Sequence, residues 1–497
     1  MVTGAHDVLG RPGRAGWRGE RSVSTVIGGV RRRVCAALGA AGLMAGSLVA
    51  GTAAPAAAAP AAGHGGPGLF AWGENDHGQL GDGTTTERNS PVQITGFSAP
   101  ILQVTVSPTA EFSAALLSGG IVSAWGANGF GQLGDDSTID HHSPGTVVGL
   151  TGATQISAGG GFMLAVDSSG AVWSWGDNDS GQLGNGTAGS TTNTDVPVRV
   201  PGLTGITQVA AGDETSLALR SDGTVWAWGD NAQGQLGDHT TVNHDTPERV
   251  PGLTGITQIA ETDASFALAS NGTLFAWGDN EGSELGNGTR GGFSSTPAAV
   301  PGLPAVTQVA TSGFTTLAIT SPNGTAWGWG DNTAGEIGDG TDTYHASPRQ
   351  LTLTGITQVS SGVFEGAAVL SDATLRTWGA NGTGALGIGT TSDQSASPVA
   401  VTTLAHVRQV AMSNGYAVAL GDSTVATVPS VHGDTTAVAS TVLQNAGFVL
   451  GGVSGVIDNT CNYLNKVISQ NPAAGTTALI GSPVSVTIGL RPKNPCQ

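Results

Sequence analysis

A Trp-Gly pair recurs seven times along this chain, at Trp72-Gly73, Trp125-Gly126, Trp175-Gly176, Trp228-Gly229, Trp277-Gly278, Trp329-Gly330 and Trp378-Gly379. The intervals are 53, 50, 53, 49, 52 and 49 residues. A fixed period of this size means that one supersecondary unit is copied and that each copy buries its apolar face against its neighbours. Four further landmarks keep the same order in every copy. A Gln-Leu-Gly-like triplet follows Trp-Gly, as in Gln182-Leu183-Gly184, with Glu284-Leu285-Gly286, Glu336-Ile337-Gly338 and Ala385-Leu386-Gly387 as variants. Then come a proline, such as Pro197 or Pro247, and a Gln-Val/Ile strand start, such as Gln155-Ile156 or Gln409-Val410, before a short apolar run such as Leu217-Ala218-Leu219.

The runs between landmarks are short, rich in Val, Ile, Leu, Ala and Trp, and bounded by Gly, Asp, Asn and Pro, which is strand chemistry punctuated by turns. Ser221-Asp222-Gly223 reads as a hairpin turn between two of them. In Val225–Trp228 alternate residues point to opposite faces, and both faces are apolar. Such a strand belongs in a sheet covered on both sides, as in small antiparallel blades stacked radially. The repeat region opens with Leu69–Gly73, a Trp-Gly strand with no Gln-Val strand before it. It ends with Gln409–Ala411 and Tyr416–Leu420, with no Trp-Gly strand after them. The two fragments add up to one blade. The expected fold is an all-β ring, a seven-bladed β-propeller over residues 68–422, in which the first strand completes the last blade and removes an open edge.

The unit Trp-Gly-Asp-Asn…Gly-Gln-Leu-Gly…Pro…Gln-Val-Ala…Leu-Ala-Leu, as in Trp228 to Leu268, resembles the Regulator of Chromosome Condensation repeat. The resemblance covers about Leu69 to Asp422 and implies the seven-bladed propeller. The family includes a nuclear guanine-nucleotide exchange factor, and a secreted bacterial β-lactamase inhibitory protein has a similar fold. In the exchange factor, copies of the turn before the apolar run often carry a His. The corresponding residues here are Phe112, Phe162, Thr215, Ser265, Thr315, Glu365 and Tyr416. None is His, which speaks against exchange activity. In the inhibitor the same turn carries aromatic contact residues, which Phe314 and Phe364 match, with Phe112, Phe162 and Tyr416 one residue later. These five aromatics are the candidate protein-binding site, since aromatic residues dominate interface hot spots.

The flanks differ in kind. Within residues 1–62, Arg31-Arg32-Arg33 precedes an apolar small-residue stretch, Val34 to Ala50, and an alanine-rich tract with Ala-x-Ala sites near Ala57–Ala59. This is a secretory signal pattern, and it predicts an extracellular protein with no membrane segment after cleavage. The chain has 18 basic and 36 acidic residues; 7 and 2 of these lie before Ala62, which leaves 11 − 34 = −23 for the mature part. Nucleic-acid binding requires a lysine and arginine footprint, so that class is excluded.

Residues 425–490 resemble a PASTA domain, with Val428-Pro429, Asn471-Pro472-Ala473-Ala474-Gly475-Thr476 and Gly481-Ser482 in family order. A small α+β fold is expected there, with Asp434 capping a helix that runs to about Ala446 and stops at Gly447. The resemblance implies association with cell-wall peptidoglycan. Signal removal would take Cys35 and leave Cys461 and Cys496, an even pair that reads as a disulfide in an exported domain. Closing that loop should stabilise the domain by about 3–4 kcal/mol.

No catalytic constellation stands out. His77, His141, His142, His239, His244, His345 and His406 lack metal-ligand spacing, and there is no Gly-x-Ser-x-Gly elbow or phosphate loop. Asp177–Gly181 lacks the bidentate Glu of a calcium loop, so its Asp and Asn are expected to cap turns. The sequence therefore predicts no catalytic, cofactor or metal residues. The expected function is a secreted, non-catalytic scaffold with an extracellular protein partner and wall association through the C-terminal domain. An extracellular inhibitor of a β-lactamase or transpeptidase is the alternative, and nucleotide exchange is disfavoured.

Overall fold

The structure is a computed structural model that describes residues 68–391 and 394–492. The expected signal segment and Cys496 lie outside the described residues. Seven four-stranded antiparallel sheets follow one another, and a smaller domain follows them. We number the blades 1 to 7 from their innermost strands: Ile101–Val106, Ala153–Ala158, Ile206–Ala211, Ile256–Ala260, Val306–Ser312, Ile356–Ser361 and Leu404–Met412. In blade 7 the amino-terminal strand Gly68–Gly73 lies between Tyr416–Ser423 and Arg88–Ile94, with Gly68 opposite Gly421 and Gly73 opposite Tyr416. The two sequence fragments thus complete one sheet, and the ring closes as the repeat ends predict.

The landmarks turn out to be ties between blades. Each Trp of Trp-Gly is fully buried, and its indole N–H donates to the carbonyl of the Gln, Glu or Ala that heads the triplet of the preceding blade. These bonds run from 2.6 to 2.9 Å at all seven positions, for example Trp228 to Gln182 and Trp72 to Ala385. The apolar clusters accordingly straddle blade boundaries: Trp277 of blade 4 packs with Leu217, Leu236 and Val250 of blade 3. The closing glycine of each triplet lies against the same indole. Gly184 has φ +65°, and a Cβ there would stand 2.6 Å from the Trp228 Nε1. Glycine alone meets both demands.

The glutamine that starts each innermost strand reaches sideways. Gln155 donates from Nε2 to the Val209 carbonyl at 3.0 Å and accepts the Val209 N–H on Oε1 at 2.8 Å. Gln103 clasps Ile156, Gln208 clasps Ile259 and Gln358 clasps Val410 in the same two-bond way. Gln409 clasps Val104 and carries the girdle across the closure. The side-chain amide stands in for a peptide group and satisfies backbone that a radial arrangement leaves unpaired. Gln155→Leu should therefore leave the Val209 N–H and C=O buried without partners, at about 2–4 kcal/mol of stability by chemical denaturation. A loss below about 1 kcal/mol would mean that the clasp contributes little.

The C-terminal domain packs a helix, Thr436–Asn445, on a three-stranded sheet ordered Val449–Ile457, Pro483–Leu490, Val467–Asn471. Its core gathers Val428, Val431, Ala439, Leu443, Phe448, Val467, Val484 and Val486. The helix cap is Thr435, whose hydroxyl accepts from the Val438 N–H at 3.4 Å, and not Asp434 as the sequence suggests. Both residue types cap well, so composition alone does not settle the position. Gly447 ends the helix with φ +85°.

Candidate functional site

One face of the ring is built from two kinds of segment. The turns between the first and second strands of each blade, such as residues 107–111 and 212–214, form its inner circle. The loops after Trp-Gly, such as residues 74–80 and 177–183, form its outer circle. A buried asparagine organises every loop: Asn75, Asn128, Asn178, Asn231, Asn280, Asn332 and Asn381 each accept the N–H of the Leu or Ile of their own triplet on Oδ1, at 2.9–3.1 Å. Their Nδ2 groups donate to the chain about nine residues on, as Asn178 does to the Thr187 carbonyl at 2.9 Å. The Asp-Asn pairs are turn-formers, as the sequence suggests.

These loops are held so that the tip meets the turn of the next blade at five of the seven stations. His77 meets Glu111 at 3.1 Å, Ser180 donates to Glu214 at 2.6 Å, and Thr383 donates to the Gly415 carbonyl at 2.7 Å. Phe130 lies over Gly161, and Gly282 lies against the Phe314 Cβ. Tip and turn occupy the same place in every blade, yet the residues change from blade to blade. A constant frame with a variable rim is what a recognition surface requires.

The five aromatics expected on this surface do not stay together. Phe112, Phe162 and Tyr416 are fully buried and belong to the core. Each opens a second strand directly opposite the glycine of a Trp-Gly pair: Phe112 faces Gly126, Phe162 faces Gly176 and Tyr416 faces Gly73. The missing Cβ leaves room for the ring, which turns inward between blades, and the Tyr416 hydroxyl donates to the Phe112 carbonyl at 2.7 Å. Phe314 and Phe364 sit one residue earlier, in the turn itself, and remain half-buried. The register also corrects the repeat alignment: Ala264, not Ser265, is the partner of Gly278, so Asp263 is the equivalent of Phe314. Phe130, 44% exposed at a loop tip, joins the face without having been singled out. It sits where other blades have His77 or Ser180, and no periodic pattern marks it.

Carboxyl groups dominate the remainder. Burial, with Glu111 and Asp76 as neighbours, pushes Glu74 up to about 7. Burial beside Asp179 pushes Asp177 up to about 6. Glu284, Glu336 and Glu365 rise to about 8, 7 and 8, first through burial and then through nearby acids, Asp279, Asp331 and Glu336 respectively. His77 is held above its ordinary value by its bond to Asp140 at 2.8 Å, with Glu111 on its other side. Three other histidines form a repeated structural pair. His141, His244 and His345 each start an outer strand and bind the acid just past the triplet, Asp135, Asp238 and Asp339, at 3.2, 2.9 and 2.8 Å. Arg88 and Asp82 do the same at 2.6 Å. Among the described residues no three His, Cys, Asp or Glu side chains are arranged to hold a metal.

The RCC1-like domain model matches residues 149–428, the regulator of chromosome condensation (RCC1) repeat model matches 68–115 and 120–166, and the PASTA domain model matches 426–490. The chain is 31% identical over 339 residues to the Ultraviolet-B receptor UVR8 of Arabidopsis thaliana, covering 66% of this chain and 76% of that protein. It is 30% identical over 178 residues to human E3 ubiquitin-protein ligase HERC2, which is 35% of this chain and spans only 4% of that ligase. The structure resembles human WBSCR16, with TM-score 0.64 and 24% identity over 72% of this chain and 99% of that one. It resembles Prp20p of Saccharomyces cerevisiae equally, at TM-score 0.64 and 22% identity over 73% and 93%. At these identities the two structures speak for the fold alone. Seven tied blades, the matched domain model and a relative covered over most of its length agree, and the chain belongs to the RCC1-like domain family, with a PASTA domain at its C-terminal end.

Proposed function

We propose that this protein is a secreted, non-catalytic binding scaffold: the turn face of the propeller recognises a protein partner, and the PASTA domain associates with cell-wall peptidoglycan. The observation that carries the reading is the ring of tip-and-turn pairs. The asparagine, tryptophan and glutamine ties recur around the propeller and hold the frame, while the residues they present differ at each station. Such a division suits recognition of an irregular protein surface, with Phe130, Phe314 and Phe364 as apolar anchors among polar neighbours. The Cys461–Cys496 bridge belongs to the same proposal, since an exported domain of this size gains from a covalent staple.

The test is capture from secreted proteins and on purified cell wall, with the full chain, a chain ending at Thr427 and the double variant Phe314→Ala/Phe364→Ala. The full chain should retain both wall and one protein, and the shortened chain should lose the wall alone. The double variant should keep its unfolding midpoint within about 1 kcal/mol and bind the protein at least about tenfold more weakly. Retention of the protein at full strength by the variant would move the site off this face. Alkylation of the same preparation before and after reduction reports the bridge.

A further inference from the structure

We infer that the turn face docks a lysine- and arginine-rich segment of its partner protein. The inference rests on the reading that this face recognises a protein, and it names the chemistry recognised. Residues 73–81 and 107–111 contain no lysine or arginine, nor do their equivalents in the other six blades. The same segments carry acids around the ring, among them Asp76, Glu111, Asp179, Glu214, Asp263 and Glu281, all exposed or half-buried. Most arginines lie elsewhere: Arg199, Arg220 and Arg249 are the last residues of strands that run away from this face. Arg88 and Arg290, beside the loops, are engaged, Arg88 with Asp82 at 2.6 Å and Arg290 with the Glu281 carbonyl at 3.3 Å and the Tyr344 ring. Arg408 lines a cavity of about 550 Å³ at the other end of the channel, with Thr257, Thr307 and Thr357. The propeller is therefore polarised from one face to the other, and such a field selects and steers a cationic partner.

A second observation comes from beneath the rim. Glu261 stands where the other blades have Val106, Ala158, Ala211, Thr311, Ser361 and Met412, at the end of the innermost strand beneath the turn. It is fully buried, and neither of its carboxyl oxygens has a hydrogen-bond partner. The nearby Ser265 hydroxyl is committed to the Gln235 carbonyl at 2.7 Å. The Glu261 side chain lies against Gly212, next to Asp213, which accepts from Thr109 across the ring at 2.8 Å. One residue further on, at the position of Thr262, Ser107, Ser312 and Ser413 each bind the carbonyl of the following blade. An unpartnered carboxyl in a place where small, apolar or hydroxyl side chains satisfy the fold does nothing for the fold itself. Burial holds it well above the ordinary carboxylate range, with Asp263 as a neighbouring acid, and a docked cation would supply the partner it lacks. Phe130, Phe314 and Phe364 on the same rim suit the aliphatic stems of lysine or arginine.

The probe is a labelled peptide of about ten lysines titrated onto the full chain, beside a glutamate peptide of equal length. The lysine peptide should bind, the glutamate peptide should not, and affinity should fall about tenfold or more between about 50 and about 500 mM salt. Asp76→Asn/Asp179→Asn/Glu281→Gln should weaken binding about tenfold, while Asp222→Asn/Asp372→Asn at the opposite end should change it less than about twofold. Glu261→Gln should stabilise the propeller near neutral pH and weaken binding together, whereas a purely structural Glu261 would move stability alone. The inference is overturned if the face variants bind like the parent, if both peptides bind alike, or if sedimentation shows that the face is covered by a second copy. A captured protein partner that the Phe314/Phe364 variant loses, with no lysine-peptide binding, would sink the basic-segment inference and leave the recognition face standing. If that variant and the acid-to-amide variant both keep the partner, the recognition face itself fails.

Discussion

Glu284→Gln is expected to stabilise the propeller by about 3–5 kcal/mol near pH 9 and to change it little near pH 5. The position belongs to glutamine in the first four repeats. In the fourth, Gln235 accepts the Gln233 N–H on Oε1 at 2.8 Å and donates from Nε2 to Asp230 at 3.0 Å. Glu284 accepts the Gly282 N–H in the same way, with Asp279 as the neighbouring acid. A carboxylate cannot donate toward a second carboxylate, so the side chain is held neutral, and burial followed by the Asp279 charge pushes it up to about 8. The folded value lies above the unfolded one. Its contribution is therefore complete below about pH 4.5 and is lost as the pH rises through about 8. Glutamine carries the donor permanently and escapes that loss. Glu336→Gln should repeat the effect more weakly, since Glu336 rises to about 7 beside Asp331. Chemical denaturation at the two pH values checks this, and an equal gain at both would mean that packing rather than ionisation is responsible.

Trp228→Ala should destabilise by about 4 kcal/mol, while Trp226→Ala, two residues away in the same Trp-Ala-Trp-Gly run, should cost less than about 2 kcal/mol. Trp228 is fully buried in the cluster shared by blades 2 and 3, and its indole N–H ties it to Gln182. Trp226 is half-buried at the margin of that cluster, and its indole N–H has no partner. The measurement is the unfolding midpoint of each variant. Equal losses would show that the inter-blade tie adds nothing to simple burial.

Those two tryptophans mark what could be read from the chain and what could not. The period of Trp-Gly announced the blades, and the complementary ends announced the closure, because both are properties of spacing. The same spacing does not reveal that Gln155 leaves its own strand to clasp Val209, since a side chain reaching sideways has no periodic signature. Phe112, Phe162 and Tyr416 show the sharper limit. A shift of one residue at a strand start exchanges surface for core, and their nearest sequence analogues, Phe314 and Phe364, lie on the other side of that step. Ala264, and not Ser265, opens its strand for the same reason: the turn before it is one residue shorter than its position among the repeats suggests. The acidic rim was legible as residue types but not as a face, because its members come from segments about 30 residues apart that only the closed ring brings together.

The blade that closes the ring also decides how it would yield to force. Gly68 lies opposite Gly421, and the six paired residues run antiparallel from there to Gly73 and Tyr416. Tension applied between residues 68 and 423 would part those pairs one after another from the open end, and a modest pull would suffice. Tension applied to residue 423 against a load held on the turn face runs along the strand Tyr416–Ser423. That strand is flanked by Gly68–Gly73 on one side and Leu404–Met412 on the other, so both ladders must shear together. The same seam is thus weak to a pull across it and strong to a pull through it. In the second geometry it would hold at loads that open the ring in the first.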